Sequence, residues 1–171
     1  MRVLRANNRS FYAAIAAWVG VCVFPAVALT ATYHVSPFGS NTPPYDTYAK
    51  AAHQVADAVA YADSGDTVWI GAGSYAVDSP IVLKKSFITV NGAGQDSTFI
   101  LPDASLTFCF FASGYDYSPD FGFQFSDLTV QGGSGTYLFW LGGRYMYASV
   151  QETSFRRCHF IGGQTCIRIL D

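Results

Sequence analysis

The chain has 171 residues, half of them hydrophobic and 16% aromatic, with ten Lys plus Arg against twelve Asp plus Glu and a formal net charge of −2. That balance gives no electrostatic footprint for nucleic acid, and a polyanionic glycan would need a local basic patch or a bridging cation. No Cys-x-x-Cys or His-x-x-x-His spacing occurs, which argues against a structural zinc site.

Residues 1–28 read as a secretory signal: Arg2, Arg5 and Arg9 form a basic n-region, Phe11 to Phe24 an apolar h-region, and Ala26-Val27-Ala28 an A-x-A cleavage site after Pro25. The stretch from Phe11 to Ala31 approaches the ~20 residues that span a bilayer. The cleavage motif, and the lack of a basic stop-transfer cluster after it, favour cleavage over anchoring. Cys22 follows Val21 rather than a small residue, so the segment does not read as a lipoprotein signal. The expectation is a secreted, periplasmic or cell-surface protein with one domain over 29–171 and no stable membrane span. Loss of the three Arg takes the formal charge to about −5. Cys109, Cys158 and Cys166 remain, an odd number for an oxidising compartment, and whether Cys158 pairs with Cys166 is open.

Thr32 to Ser36 reads as a short strand and residues 37–44 as a loop. From Asp46 or Thr47, a good N-cap, the pattern predicts a helix to about Asp63, with Ala52, Val55, Val59 and Ala62 on one face and Ser64-Gly65-Asp66 ending it. Such a helix, over 46–63, suits the cap of a solenoid whose first coil would otherwise be open.

From residue 66 on, short strand-like patches recur: Val68–Ile70, Ile88–Val90, Phe108–Phe110 and Leu128–Val130 each start 20 residues after the last. A longer match relates Phe125–Gly133 to Phe155–Gly163, 30 residues on. Apolar residues alternate within each patch, and Gly or Asn follows where the chain turns. Units that cannot bury one face alone complete a core by stacking, so the pattern predicts an all-β parallel β-helix. An antiparallel sandwich is the alternative, but the one tight-turn dipeptide, Asn91-Gly92, is followed by a longer loop. The expected core rows are Val68, Ile70, Ile88, Val90, Phe108, Phe110, Leu128, Val130, Cys158 and Phe160, with Thr89 and Thr129 facing out. Thr165 to Leu170 reads as a strand of a coil that has barely begun, and the expected partner of that rung is further C-terminal coils of the same chain.

Three segments together resemble the opening of secreted right-handed parallel β-helix proteins of the pectin-lyase-like superfamily: Thr32-Tyr33-His34-Val35-Ser36-Pro37-Phe38-Gly39-Ser40, the run Pro44 to Ala52, and Ser64-Gly65-Asp66-Thr67-Val68-Trp69-Ile70 with Ala72-Gly73-Ser74-Tyr75. Phe155 to Gly162 is similar to their coil repeats. The resemblance implies a right-handed β-helix with an amino-terminal capping helix. It implies no particular activity, because the same fold serves lyases, hydrolases, epimerases and adhesins. The hydrolase motifs Asn-Thr-Asp, Asp-Asp and His-Gly do not occur, and Arg168-Ile169 matches only two residues of the fourth.

Two groups of residues have chemistry to offer. If Leu128, Val130, Cys158 and Phe160 point inward, Thr129 and His159 point outward on consecutive coils ~4.8 Å apart. Asp127 and Arg157 then stack just before them. This gathers an acid, a cation and an imidazole, the material of a catalytic site, although an Asp–Arg pair at a corner is more often a surface ion pair. The second group is the insertion Tyr115-Asp116-Tyr117-Ser118-Pro119-Asp120, where Tyr115 and Tyr117 would stack on sugars and Asp116 and Asp120 would hold Ca²⁺. Tyr137, Trp140, Tyr145 and Tyr147 around Gly142-Gly143-Arg144 add further aromatic surface, with Arg144 and Tyr145 as substrate contacts. Lys84-Lys85 reads as a solvated turn. The resulting expectation is an exported β-helix that binds extracellular polysaccharide or cell-surface glycan and, as an enzyme, would act as a polysaccharide lyase or glycoside hydrolase. The alternative is a non-catalytic adhesin-type module.

Overall fold

The computed structural model describes residues 29–112, 120–142, 149–150 and 152–169. Residues 1–28, which the sequence pattern reads as a secretory signal, lie outside them. The chain enters along β1 (Thr32–Val35) and reaches a short helix, α1 (Val55–Tyr61). It then makes repeated passes of three strands. The first is β2 (Thr67–Ile70), β3 (Gly73–Val77) and β4 (Ile81–Val82); the second is β5 (Ile88–Gly92), β6 (Thr98–Pro102) and β7 (Phe108–Ala112). The third pass begins with the two-residue β8 (Asp120–Phe121) and continues through β9 (Phe123–Ser126), β10 (Thr129–Gly132) and β11 (Tyr137–Leu141). The fourth repeats it with β12 (Ser149–Val150), β13 (Ser154–Arg156), β14 (His159–Gly162) and β15 (Thr165–Ile169).

Each strand pairs in parallel with its counterpart one pass away. The first sheet runs β1-β2-β5-β9-β13, the second β3-β6-β10-β14, the third β4-β7-β11-β15, and β8 pairs with β12. Three parallel sheets visited in turn are compatible with a β-helix or solenoid, and exclude the antiparallel sandwich for the described residues. The 30-residue repeat is the true register, since Phe125 pairs with Phe155, Thr129 with His159 and Gly132 with Gly162. The 20-residue spacing is not: Val68 and Val90 pair within the first sheet, whereas Phe110 lies in the third and Val130 in the second.

Alternating inward residues fill the space between the sheets, and a column of phenylalanines runs through it. The ring of Phe110 stacks on that of Phe139 at 4.9 Å, with 3° between planes, and Phe125 meets both edge-on at 5.2 and 4.8 Å. All three are fully buried. Offset-stacked and edge-to-face pairs of this kind add ~0.5–1.5 kcal/mol each beyond area burial. Phe155 and Phe160 continue the column but are only half-buried, as is Cys158, because β13 and β14 are outer strands of their sheets. The core expectations for Cys158 and Phe160 are therefore met only in part.

Two further expectations are corrected. Phe108 is not a core residue, because Cys109 and Phe110 take two successive buried positions and throw both Phe108 and Phe111 outward. Thr129 has the expected outward parity, in register with Phe99 and His159, yet is only 1% exposed. The loop after β5 folds over it, and the Thr129 hydroxyl donates to the Gln95 carbonyl at 2.5 Å.

The predicted 46–63 helix is also shorter than expected. Tyr48–Lys50 forms a single 3-10 turn, and Gln54 rather than Asp46 or Thr47 precedes α1. Ala52 instead joins the free edge of β1: it bridges Val35, its N–H donates to His34 O at 2.8 Å, and Ser36 N–H donates to Ala52 O at 2.9 Å. A ladder partner that satisfies these backbone groups outcompetes a helical turn. Val55, Ala58 and Val59 of α1 are buried in the same core as the sheets.

Candidate functional site

The Asp127 and Arg157 backbones both lie in the left-handed region, at φ 59° and 49°, where β9 turns into β10 and β13 into β14. This is the corner demanded by the opposite parity of Phe125 and Leu128, and Asp tolerates it better than most residues. Arg157 grips the Asp127 carboxylate with two parallel bonds, Nε to Oδ1 at 2.5 Å and Nη2 to Oδ2 at 2.6 Å. That bond holds the Asp127 carboxyl below the usual carboxylate range and raises the Arg157 guanidinium above its already high value. His159 pairs with Thr129 on the next strand and is exposed, and Arg157 and Asp127 stand two residues before them in their respective corners. Of the three candidates, Asp127 and Arg157 are in direct contact, and His159 follows Arg157 by two residues. A guanidinium engaged this way is poorly suited to remove a proton.

A more extensive surface stands on the outer face of the third sheet. β7 (Phe-Cys-Phe-Phe-Ala) and β11 (Tyr-Leu-Phe-Trp-Leu) share one burial pattern: their second, third and fifth residues face the core and their first and fourth face out. Phe108 pairs with Tyr137, and Phe111 with Trp140, on neighbouring strands. Phe108 sits among the others, 5.1 Å from Phe111, 6.0 Å from Tyr137 and 4.9 Å from Trp140. Tyr137 meets Trp140 edge-on at 5.0 Å. The four partly exposed rings form a ledge carried on strands, so their positions are fixed by the ladder.

Arg168 on β15 continues the Phe111–Trp140 row. Its guanidinium carbon lies 4.5 Å from the Trp140 ring centre and 5.6 Å from that of Tyr137, and Nη1 donates to the Tyr137 hydroxyl at 3.4 Å. Unlike Arg157, Arg168 has no ion-pair partner among the described residues. The row Val82–Phe111–Trp140–Arg168 crosses four strands at ~4.8 Å per step, roughly 14 Å along the stacking direction.

Tyr137 and Trp140 belong to the aromatic group that the sequence pattern singles out; Phe108, Phe111 and Arg168 do not. The signal was available in the two five-residue runs themselves, 29 residues apart, each with an aromatic residue at positions one, three or four where simple alternation fails. Tyr115, Asp116, Tyr117, Arg144 and Tyr145 lie outside the described residues, as does the side chain of Asp120. The segments that carry them leave from β7 and β11, which are paired neighbours, and return at β8 and β12, which also pair. Among the described residues no group of three or more His, Cys, Asp or Glu is arranged to hold a metal ion. Cys109, Cys158 and Cys166 are all free thiols, and burial pushes the Cys109 thiol far up.

No family model, curated protein or solved structure matches this chain. Among the described residues no helix is long and apolar enough to cross a membrane.

Proposed function

We propose that this chain is an exported right-handed parallel β-helix that binds extracellular polysaccharide on the ledge of its third sheet. The hand follows from the strong preference of parallel strand–crossover–strand units for right-handed connection, and α1 with the Ala52 edge contact would be its amino-terminal cap. The observation that carries the reading is the cluster of Phe108, Phe111, Tyr137 and Trp140, four rings left facing solvent beside Arg168. The apolar faces of sugar rings pack on such surfaces, and the Tyr hydroxyl and guanidinium supply hydrogen bonds at the rim. A contiguous apolar patch on a secreted protein has a cost in solubility that a binding role explains.

Binding is favoured over processing by the state of the Asp127–Arg157 pair. A β-elimination on a uronate needs a cation to neutralise the carboxylate and a base to take the C5 proton. Arg157, the base candidate nearest an acid and an imidazole, is held protonated by Asp127. A surface or adhesin-type module therefore fits the described residues better than a lyase or hydrolase. A glycan array, read in parallel with an assay for unsaturated uronate release, tests both parts. Glycan binding without release is the expected result; release would restore the enzyme, and no binding to any glycan would refute the proposal.

A further inference from the structure

The ledge does not end at Phe111. Its outward row continues to Val82 on β4, the outermost strand of the third sheet, and Val82 also lines a groove of about 410 Å³ between β4 and α1. Val59 and Tyr61 of α1, with Asp63 just after it, line one side of that groove, and Pro80, Val82, Lys84 and Lys85 the other. Its size is at the lower end of the range for small-ligand sites.

The two lysines differ in what they already hold. Lys85 Nζ lies 3.6 Å from Asp63 Oδ1, beyond good hydrogen-bond range, with both side chains well exposed. Lys84 has no ion-pair partner among the described residues. Asp63 offsets Lys85 in part, so the groove keeps one unpaired cation, Lys84, beside an apolar floor, which suits an anion attached to an apolar-faced ring. Tyr61 meets Tyr45 at 5.2 Å and Tyr33 at 6.4 Å yet stays 45% exposed, which leaves part of its side chain to such a ligand. α1 bounds the groove on the side away from the ledge, so an extended chain lying along the row would have its last unit here.

We infer that the groove between α1 and β4 is a terminal subsite for an acidic sugar, whose carboxylate pairs with Lys84 and Lys85 while the rest of the glycan lies on the ledge. The inference rests on the ledge reading for the body of the ligand, and on the groove alone for its end.

The test compares a neutral oligosaccharide with its counterpart oxidised to a carboxylate at C6 of the terminal unit, using calorimetry on wild type, K84Q K85Q and W140A. Wild type should prefer the acidic form by about tenfold. The double lysine variant should bring the ratio near one, while W140A should weaken both forms and keep the ratio. Equal binding of the two forms by wild type, or an unchanged ratio in the lysine variant, overturns the subsite and leaves the ledge. Free glucuronate gives a separate readout: it should shift the NMR signals of Tyr61 in wild type and not in the lysine variant. That result with neither oligosaccharide bound would refute the ledge and keep the groove, and no response to any of the three ligands refutes both.

Discussion

Arg157 holds the carboxylate of Asp127 from the same corner one pass later, 30 residues along the chain, so an ion pair staples consecutive passes where both backbones are left-handed. Its dependence on pH has a definite sign. The folded-state pKa of Asp127 is depressed, first by the Arg157 hydrogen bond, so the stabilisation is present above the unfolded carboxylate value of about 3.9 and is lost as pH falls through the lower folded value. D127N keeps the tolerance for a left-handed backbone and removes the charge. Its melting temperature should lie below wild type at pH 7 and converge with it at acid pH, whereas D127A should fall further at pH 7 because Ala disfavours that conformation. A D127N deficit that persists unchanged at pH 2 would show that the pair is not its cause.

The same corner explains a glycine. A Cβ on Gly92 would lie 2.2 Å from the carbonyl oxygen of Asp127, a backbone atom with little freedom to retreat. G92A should therefore cost ~1–3 kcal/mol in denaturant unfolding. Gly135 has nothing within 4 Å of its would-be Cβ, and G135A should change stability by no more than ~0.5 kcal/mol. Equal effects of the two substitutions would contradict the stacking of Asp127 over Gly92.

How far the fold was legible depended on what each signal distinguishes. The Phe125–Gly133 and Phe155–Gly163 copies align residue for residue, and they gave the register directly. Alternation located the strands but not their sheets, because all three sheets bury one face, and so patches 20 residues apart were mistaken for one column. Thr129 was placed on the right face; its cover, the Gln95 loop, comes from 34 residues away and leaves no mark in the local pattern. The ledge escaped notice because Cys109-Phe110 and Leu138-Phe139 bury two neighbours in succession, which moves their flanking aromatics outward. Helical propensity overextends the helix because Ala52, a good helix former, finds a sheet partner in β1.

The phenylalanine column should dominate stability at its centre. Phe139 is fully buried between Phe110, Phe125, Phe155 and Phe160, so F139A should cost ~3–5 kcal/mol. Phe160, half-buried at the outer strand, should cost clearly less on the same change. Urea unfolding of both variants measures the difference, and a larger loss for F160A would mean the core is centred elsewhere.

Capping by α1 can be separated from mere helix content. Val59 is 4% exposed and Ala60 next to it faces solvent. V59D places an unpaired charge against the core and should cost several kcal/mol or abolish cooperative folding, with association through the uncovered end seen by light scattering. A60D should melt like wild type and remain as dispersed as wild type. If V59D does the same, α1 does not close the core.

Glycan binding on the third sheet is tested most directly at Trp140, because that ring is partly exposed and outside the core. Calorimetric titration of the best array ligand into wild type, W140A and H159A, with melting temperatures checked alongside, decides it. The account predicts at least tenfold weaker binding by W140A, about 1.4 kcal/mol or more, and no change for H159A, which lies on the second sheet. Unaltered affinity in W140A, or a loss confined to H159A, would contradict it.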